Sequence, residues 1–572
     1  MSALATIQPS QEIHDVVVIG SGAGGGTVAH VLTALGLRVT LLEAGPMLDP
    51  YREFKEHQWP YEVDHRGAEE GGEQYFDRGK PFGYFATTSG GWELDGEPYT
   101  VGKGSKFRWF RSRILGGRTN HYGRMSFRFS DYDFRPYDRD GLGTNWPISY
   151  KDISPYYDKA EAFIGVTGSR EGIRSAPDGI FQEPPPPRAH ELLIKAASER
   201  LGIRCIPNRR AVLTRALNGR PACHYCGQCN RGCLSASNYS SSQVQIFPAL
   251  ETGRLRIIDQ AMARELVTDG SGKVTDVVYV DKRTRQEVRL PCRVIVLAAS
   301  ACESARILLN SKTTEFSNGV ANSSGVVGRF LMDTVGFGLS ARVPALEGLP
   351  RYNSDGAGGA HLYMPWWGWE RQQELGFPRG YHIELGGGYR MPRIGSFERV
   401  ARESGYGVAL KERVRREYGT TVSMVGRGEM IPNNFSYCEI DSDTVDRWGI
   451  PVLRFHFKWS DYEIDQARHM SDTFRAIVDT MGGVVNKASS PDASGISVPG
   501  SIIHEVGTTR MGHDPRTSVL NGFCQTHDVA NLFVCDGASF VSNPDKNPTL
   551  TINALAWRAS EYIADEMRQG NL

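Results

Sequence analysis

Four cysteines crowd into one short stretch, Cys223-His-Tyr-Cys226-Gly-Gln-Cys229-Asn-Arg-Gly-Cys233. Their C-x2-C-x2-C-x3-C spacing is the run that wraps an iron–sulfur cluster in bacterial ferredoxins, where the fourth cysteine serves a different cluster. Leu234 stands where a proline usually follows. A zinc site more often uses two C-x-x-C knuckles far apart in the chain, and disulfides or free thiols are the remaining readings. A second chemical signal is Gly20-Ser-Gly22-Ala23-Gly24-Gly25-Gly26. Gly20, Gly22 and Gly25 have the G-x-G-x-x-G spacing, which allows a tight turn, a backbone approach to a pyrophosphate and close helix–strand packing. Glu43 follows about 20 residues later, where an acid binds ribose hydroxyls. The spacing points to a dinucleotide without separating FAD from NAD.

The elements around these residues support that reading. Asp15 to Gly20 is a short β-branched run, as in a buried parallel strand. A helix is expected through Val28 to Leu35 and a second strand over Leu37 to Leu42, ending at Glu43. The Gly-rich turn therefore opens a helix whose free N–H groups and partial positive charge suit phosphates. Residues 46–110 show no period and read as long loops over a surface. Pro184 to Pro187 reads as a rigid connector. Arg293 to Ala299 reads as another buried strand, and Ala301 to Asn310 as a helix. Val452 to Lys458 alternates like a half-buried antiparallel strand. Leu550 to Met567 reads as a helix packed on the core.

Composition narrows the class. The chain has 572 residues, 40% of them hydrophobic, which suffices for a large core and more than one domain. Lys+Arg 65 balances Asp+Glu 65, so no basic field recruits nucleic acid or an anionic membrane. Lys103 to Arg113 is expected to be a local phosphate-facing or solvated strip. No run of about 18 apolar residues suggests a direct membrane span. Met1 to His14 lacks an apolar core, so no secretory signal is expected on this chain. The other six of the ten cysteines are scattered, several in apolar runs, as buried small thiols are.

Two late segments join these signals: His504-Glu-Val-Gly-Thr-Thr-Arg-Met-Gly512, and Cys535-Asp536-Gly537 followed by Asn547-Pro-Thr-Leu-Thr-Ile-Asn553. Leu115-Gly-Gly-Arg-Thr-Asn-His121 and Ala298 to Leu309 add two more. In this order the motifs resemble the glucose–methanol–choline (GMC) oxidoreductases, which are FAD enzymes, over nearly the whole chain. The resemblance implies an α/β (α+β overall) fold, with a Rossmann-type FAD-binding domain and a discontinuous substrate-binding domain containing an antiparallel sheet. The expected FAD-binding parts are 1–135, 205–335 and 500–572; the expected substrate parts are 136–204 and 336–499.

The resemblance also implies roles. His504 faces the flavin N5 as the base, with Asn547 as its polar partner. Neutral histidine suits removal of a hydroxyl proton near pH 7, and an amide orients the hydroxyl without titrating. Gly20, Gly22, Ala23, Gly25 and Glu43 hold the nucleotide end of FAD. Gly116, Gly117, Asn120 and His121 line the flavin, as do Asp536, Gly537, Pro548 and Thr549. Pro548 and Thr549 open a helix whose N-terminus favours reduced, anionic flavin. His121 occupies the position of a covalent flavin link in pyranose oxidases, although its neighbours differ here; a histidine packed beside the cofactor is the other reading.

Bacterial sugar dehydrogenases of the family carry C-x5-C-x3-C around a three-iron cluster. Cys223, Cys229 and Cys233 match that spacing, and Cys226 is the departure, completing a 4Fe-4S cluster in place of 3Fe-4S or staying unligated. A one-electron centre beside a flavin suggests a dehydrogenase rather than an oxidase. No C-x-x-C-H haem motif occurs, so a cytochrome acceptor would be another polypeptide. The chain further resembles catalytic subunits of bacterial glucoside 3-dehydrogenases, through its length, cysteine run, and Asn145-Trp-Pro-Ile-Ser-Tyr150 with Pro155-Tyr-Tyr157. That resemblance implies oxidation of the C3 hydroxyl of glucosides or disaccharides, a small subunit, a cytochrome c acceptor, and a periplasmic location reached on the partner's export signal, with a cytoplasmic one as the alternative. Gluconate, sorbitol and glucose dehydrogenase subunits and a stand-alone sugar oxidase are the rival readings. Trp366, Trp367 and Trp369 are either sugar-stacking or packing residues.

Overall fold

The computed structural model describes residues 6–7, 14–54, 56, 90–227, 229, 232–349, 357–389, 405–486 and 495–572. Within the loop stretch expected over residues 46–110, residues 55 and 57–89 lie outside the described residues.

β1 (His14–Ile19) is buried except at Asp15, as a β-branched run between two covered faces should be. α1 (Ala23–Ala34) follows with Gly22 as its N-cap, five residues earlier than the apolar pattern indicates. Glycine is a poor helix former, but here close packing demands it. A Cβ on Gly24 would stand 1.8 Å from the Cys535 carbonyl oxygen, and one on Gly25 would stand 1.8 Å from that of Gly20. β2 (Val39–Leu42) completes the unit, parallel to β1 with Val16 opposite Val39 and Ile19 opposite Leu42.

The sheet extends by crossover. β3 (Leu255–Ile258) pairs parallel with β2, on the far side from β1. β4 (Ala261–Thr268) and β5 (Val274–Asp281) form an antiparallel pair. β6 (Gln286–Leu297) is long enough to serve twice. Its first half pairs antiparallel with β5, and its second half pairs parallel with β1 on one side and with Leu532–Val534 on the other. The parallel strands β3, β2, β1 and β6 all run the same way, so their carboxyl ends open one crevice, where ligands of such sheets bind. α2 (Ala301–Asn310) leaves β6 through Ser300, whose φ of 94° makes the turn. The expected strand at Arg293–Ala299 and helix at Ala301–Asn310 are thus present.

A second sheet has six strands, all paired antiparallel. Its order is Val484–Val485, β7 (Val335–Arg342), β9 (Thr421–Gly428), β8 (Tyr381–Gly387), Leu362–Met364 and Ile206–Pro207. Ile206–Pro207, expected with the FAD-binding part, is therefore an edge of this sheet. α3 (Asp461–Thr480) covers one face of β7 and β9. Alternation along β9 sends Val422, Met424, Gly426 and Gly428 to the buried face. The space left by Gly426 and Gly428 is filled by Met470 and Gln466 of α3. Trp366 belongs to this face too, packed on Tyr381, Phe377 and His469.

β10 (Tyr437–Val445) and β11 (Pro451–His456) pair antiparallel, and Thr100–Val101 adds to β11. β11 overlaps the expected strand at 452–458, beginning one residue before it. Phe107 stacks on Phe455 with centroids 4.4 Å apart, and Trp109 meets the same ring at 5.2 Å. Residues 107–110 are thus partly core rather than loops on a surface, because their aromatic rings find a buried partner in β11. α4 (Thr549–Gln569) packs on α1 and on the helix Tyr150–Ile164. No described helix is long and apolar enough to cross a membrane.

Candidate active site

A cavity of about 1330 Å³ runs from the Gly-rich turn to His504. Its first end is built by the carboxyl ends of the parallel strands: Gly20 after β1, Glu43 after β2, and Ala298 to Ser300 after β6. Gly22 and Ala23 line it at the start of α1, and nothing lies within 4 Å of where a Gly22 Cβ would be. Glu43 is buried, accepts from the Ser21 hydroxyl, and takes the Gly45 N–H at 2.8 Å. Burial raises its pKa, and those two hydrogen bonds work against the rise. The Gly116 N–H donates to the same Ser21 hydroxyl at 2.8 Å, tying the second glycine turn to the first.

His504 stands at the other end. Its loop is held by Asp333, which accepts the N–H groups of Gly500 at 2.7 Å, Ile502 at 3.4 Å and His504 at 3.0 Å. Burial, seconded by Glu505, pushes the Asp333 carboxyl up to about 7. Arg118 pairs with Glu505, the residue after His504. The His504 Nδ1 lies 2.9 Å from Thr334 Oγ1, and Nε2 lies 3.4 Å from Asn547 Nδ2. An amide nitrogen can only donate, so Nε2 accepts and the neutral ring carries its proton on Nδ1, directed at Thr334. Burial above all, and then Arg427, pushes the imidazole pKa down to about 3. His504 is therefore neutral at physiological pH with an acceptor nitrogen beside Asn547.

Asn547 precedes α4, with Pro548 as N-cap and Thr549 as first residue, and all three line the cavity. Asn547 Nδ2 also donates to Glu384 Oε1 at 3.2 Å. Glu384 and Arg427 reach the cavity from the face of β8 and β9 opposite α3. Arg427 Nη2 is 3.2 Å from Glu384 Oε2.

The cysteine run forms part of the same cavity wall, through Cys226 and Cys229. Cys223 is pushed up to about 11 by burial and by the neighbouring Cys229 and Cys233 thiols, although the Tyr225 N–H donates to it at 3.3 Å. The Gly358 N–H donates to Cys229 Sγ at 3.2 Å. Cys226 lies with Glu56 and His224, the ligand atoms of these three being within 4.8 Å of one another. The scattered Cys205, Cys292, Cys302, Cys438, Cys524 and Cys535 are buried, and no described cysteine forms a disulfide.

Two family models match the sequence in order. Residues 15–335 match the N-terminal GMC oxidoreductase model, and residues 434–556 match the C-terminal one. The chain belongs to the GMC oxidoreductase family. It is 30% identical to 2-methyl-1,2-propanediol dehydrogenase of Mycolicibacterium austroafricanum, over 96% of this chain and 95% of that protein. It is 28% identical to the fructose dehydrogenase large subunit of Gluconobacter japonicus, over 97% and 98% respectively. Its fold matches the crystal structure of pyridoxine 4-oxidase from Mesorbium loti with a TM-score of 0.63, at 16% identity, over 96% of this chain and 99% of that one.

GMC oxidoreductases bind FAD and act on CH–OH groups. The cavity fits that cofactor. A glycine turn with no side chain in the way and a buried acid occupy one end, and the neutral histidine occupies the other. Of the residues assigned from the sequence, Gly20, Gly22, Ala23, Glu43, Gly117, His121, His504, Asp536, Gly537, Asn547, Pro548 and Thr549 line the cavity. Asp536 is buried and accepts from Ser304 Oγ at 2.6 Å, from Ala538 N–H at 2.8 Å and from Ser300 N–H at 3.1 Å. His121 Nε2 lies 3.0 Å from Ser112 Oγ.

Three residues assigned to FAD do not line it, nor do Cys223 and Cys233 of the cysteine run. Gly25 is committed to helix–strand packing. Asn120 turns its amide back to the carbonyls of Leu115 and Gly117, both at 3.0 Å, and so shapes the turn. Gly116 stands behind that turn, where its φ of 91° is needed. The three tryptophans are also absent from the lining: Trp366 is core, and Trp369 stacks on Tyr132 at 4.4 Å. The basic strip divides. Lys103, Lys106 and Arg108 are exposed, whereas Arg111 and Arg113 are buried and Arg113 pairs with Glu97 and Glu303. Sequence reasoning missed Thr334, Asp333, Glu384, Arg427 and Arg118. Arg118 sat within a recognised motif. The other four belong to, or immediately precede, strands whose pairing alone brings them to His504.

Proposed function

We propose that this chain is a FAD-dependent sugar dehydrogenase that oxidises a secondary hydroxyl, C3 of glucosides or disaccharides, and delivers electrons to an external acceptor. The observation that carries the reading is that a neutral His504 and the Asn547 amide meet in a cavity whose wall also holds the cysteine run. The substrate hydroxyl enters between Asn547 Nδ2 and His504 Nε2. Asn547 donates to the hydroxyl oxygen and orients it. His504 Nε2 takes the hydroxyl proton, while Nδ1–H stays anchored on Thr334. Glu384 favours the charged imidazolium that results. FAD, when bound, supplies the acceptor for the hydride leaving the same carbon.

Cys223, Cys229 and Cys233 would hold a three-iron cluster, and Cys226 is the candidate fourth ligand of a four-iron one. Two observations support that donor set: Cys229 and Cys233 lie near enough to Cys223 to act on its thiol, and backbone N–H groups are directed at the sulfurs of Cys223 and Cys229, as ligating thiolates accept. Such a cluster supplies a one-electron carrier, which an enzyme reducing oxygen directly does not need. Likeness to a protein named as the large subunit of a fructose dehydrogenase supports both the sugar and a partner subunit. By the separate resemblance to glucoside 3-dehydrogenase subunits, the acceptor is a cytochrome c and the complex is periplasmic. The test is anaerobic turnover of methyl glucoside with an artificial electron acceptor, alongside iron analysis of native protein and Cys229→Ser. Acceptor reduction, 3-keto product and iron lost in C229S are the expected results. Turnover of gluconate, sorbitol or glucose alone would move the substrate. Peroxide formation by iron-free protein would make the enzyme an oxidase.

A further inference from the structure

Glu384 is half-buried at the substrate end of the cavity, yet the alcohol chemistry gives it no atom to transfer. It is held from two sides. Arg427 Nη2 lies 3.2 Å from Oε2, and His382 Nε2 lies 3.5 Å from Oε1. His382 is itself backed by Asp545 at 3.8 Å, and Asp545 by Lys546 at 2.6 Å. Burial works to protonate Glu384, but Arg427 and His382 outweigh it and hold the carboxyl far below the usual range. An ionised carboxylate only accepts hydrogen bonds. It takes one from Asn547 Nδ2 at 3.2 Å, while the same nitrogen faces His504 Nε2 at 3.4 Å.

We propose that Glu384 is a positioning residue, setting the orientation of the Asn547 amide and so deciding that an N–H, not a carbonyl oxygen, meets the substrate hydroxyl beside His504. Turning the amide over would place Oδ1 against the Glu384 carboxylate and against the lone pair of Nε2, two acceptor–acceptor contacts at once. In the observed orientation one Nδ2 hydrogen goes to Glu384, and the other is directed at His504 or at an oxygen bound between them. Asn547 Oδ1 is buried without a hydrogen-bond partner among the described residues, so only the nitrogen edge of the amide is tied down. The sequence order reinforces this: Asp545 and Lys546, which support His382, directly precede Asn547.

The inference rests on His504 as base and on the family's alcohol chemistry, not on which sugar is oxidised. Glu384→Gln keeps the size but can donate as well as accept, so both amide orientations become tolerated. On the alcohol that the native holoenzyme turns over fastest, E384Q should lower kcat about 10- to 100-fold and move KM by less than about threefold. Flavin absorbance and Tm should stay native. In an Asn547→Ala background, the same substitution should cost at least about threefold less in kcat than in native protein, because the amide it orients is gone and only its charge near His504 remains. Glu384→Asp, which withdraws the carboxylate by one methylene, must show the same dependence on Asn547 and serves if E384Q does not fold. Native kcat in E384Q, or an equal loss in the presence and absence of Asn547, would overturn the proposal. A wrong sugar would show in the product, not in these ratios.

Discussion

Removing the imidazole of His504 tests the mechanism most directly. His504→Ala deletes the acceptor nitrogen 3.4 Å from Asn547 and leaves the Asp333 backbone clamp in place. A positioned general base contributes about 10²- to 10⁴-fold, so kcat should fall by that factor with flavin absorbance retained. The native pH profile carries the second half of the argument. With a folded pKa of about 3, the base form persists far below neutrality. An unperturbed histidine of pKa about 6.5 would lose about 30-fold in kcat between pH 8 and pH 5, whereas His504 should lose less than about twofold. The assay is steady-state acceptor reduction at saturating substrate from pH 5 to pH 8, with Tm recorded at each pH. An acid limb centred near pH 6.5 would refute the desolvated-base reasoning. Full activity in H504A would remove His504 from the chemistry altogether.

The remaining predictions concern stability and the cofactor cradle. Asp333, with its pKa raised to about 7, keeps a proton in the native state that the unfolded chain has already released. Its contribution to stability is therefore present below the unfolded carboxyl pKa and is lost as pH rises toward 7. Urea midpoints of Asp333→Asn should show a shallower fall over that window than native protein; an unchanged slope would contradict the assignment. Gly25→Ala places a Cβ 1.8 Å from the Gly20 carbonyl oxygen, so α1 must shift away from β1. Overpacking of this kind costs about 1–3 kcal/mol. The variant should purify with a lowered Tm, and its flavin absorbance per chain should stay well below native even after FAD is added; a native flavin content with native Tm would disprove the role.

The Gly-rich turn, Glu43, His504 and Asn547 were legible as cavity residues because each depends on a short stretch of backbone. A tight turn before a helix needs glycine at set positions, and an acid or a polar pair at a strand or helix end keeps its place in a short motif. β1, β6 and α2 were legible for the same reason, as local apolar runs bounded by turn residues. Less was legible where a residue's role depends on its neighbours in space. Asn120 sits in a motif that lines the cavity, but whether its amide faces the cofactor or its own turn depends on which carbonyls the turn leaves open. Trp366 is as suited to a sugar face as to a core, and only the packing of α3 beneath β8 and β9 makes it core.

The sequence by itself determined the family, the cofactor and two residues, His504 and Asn547, that meet in the cavity, since local motifs carry all three. Only the tertiary structure decided what surrounds them. Glu384 and Arg427 are ordinary polar positions in alternating strands, and a one-residue change of register would send them to the opposite face. Antiparallel pairing of β8 with β9, and the cover of α3 on their other side, turn that polar face toward Asn547. Thr334 and Asp333 reach His504 from a point some 170 residues earlier in the chain. Such contacts have no local periodicity, because the distance that matters to a hydrogen bond is measured through space and not along the backbone.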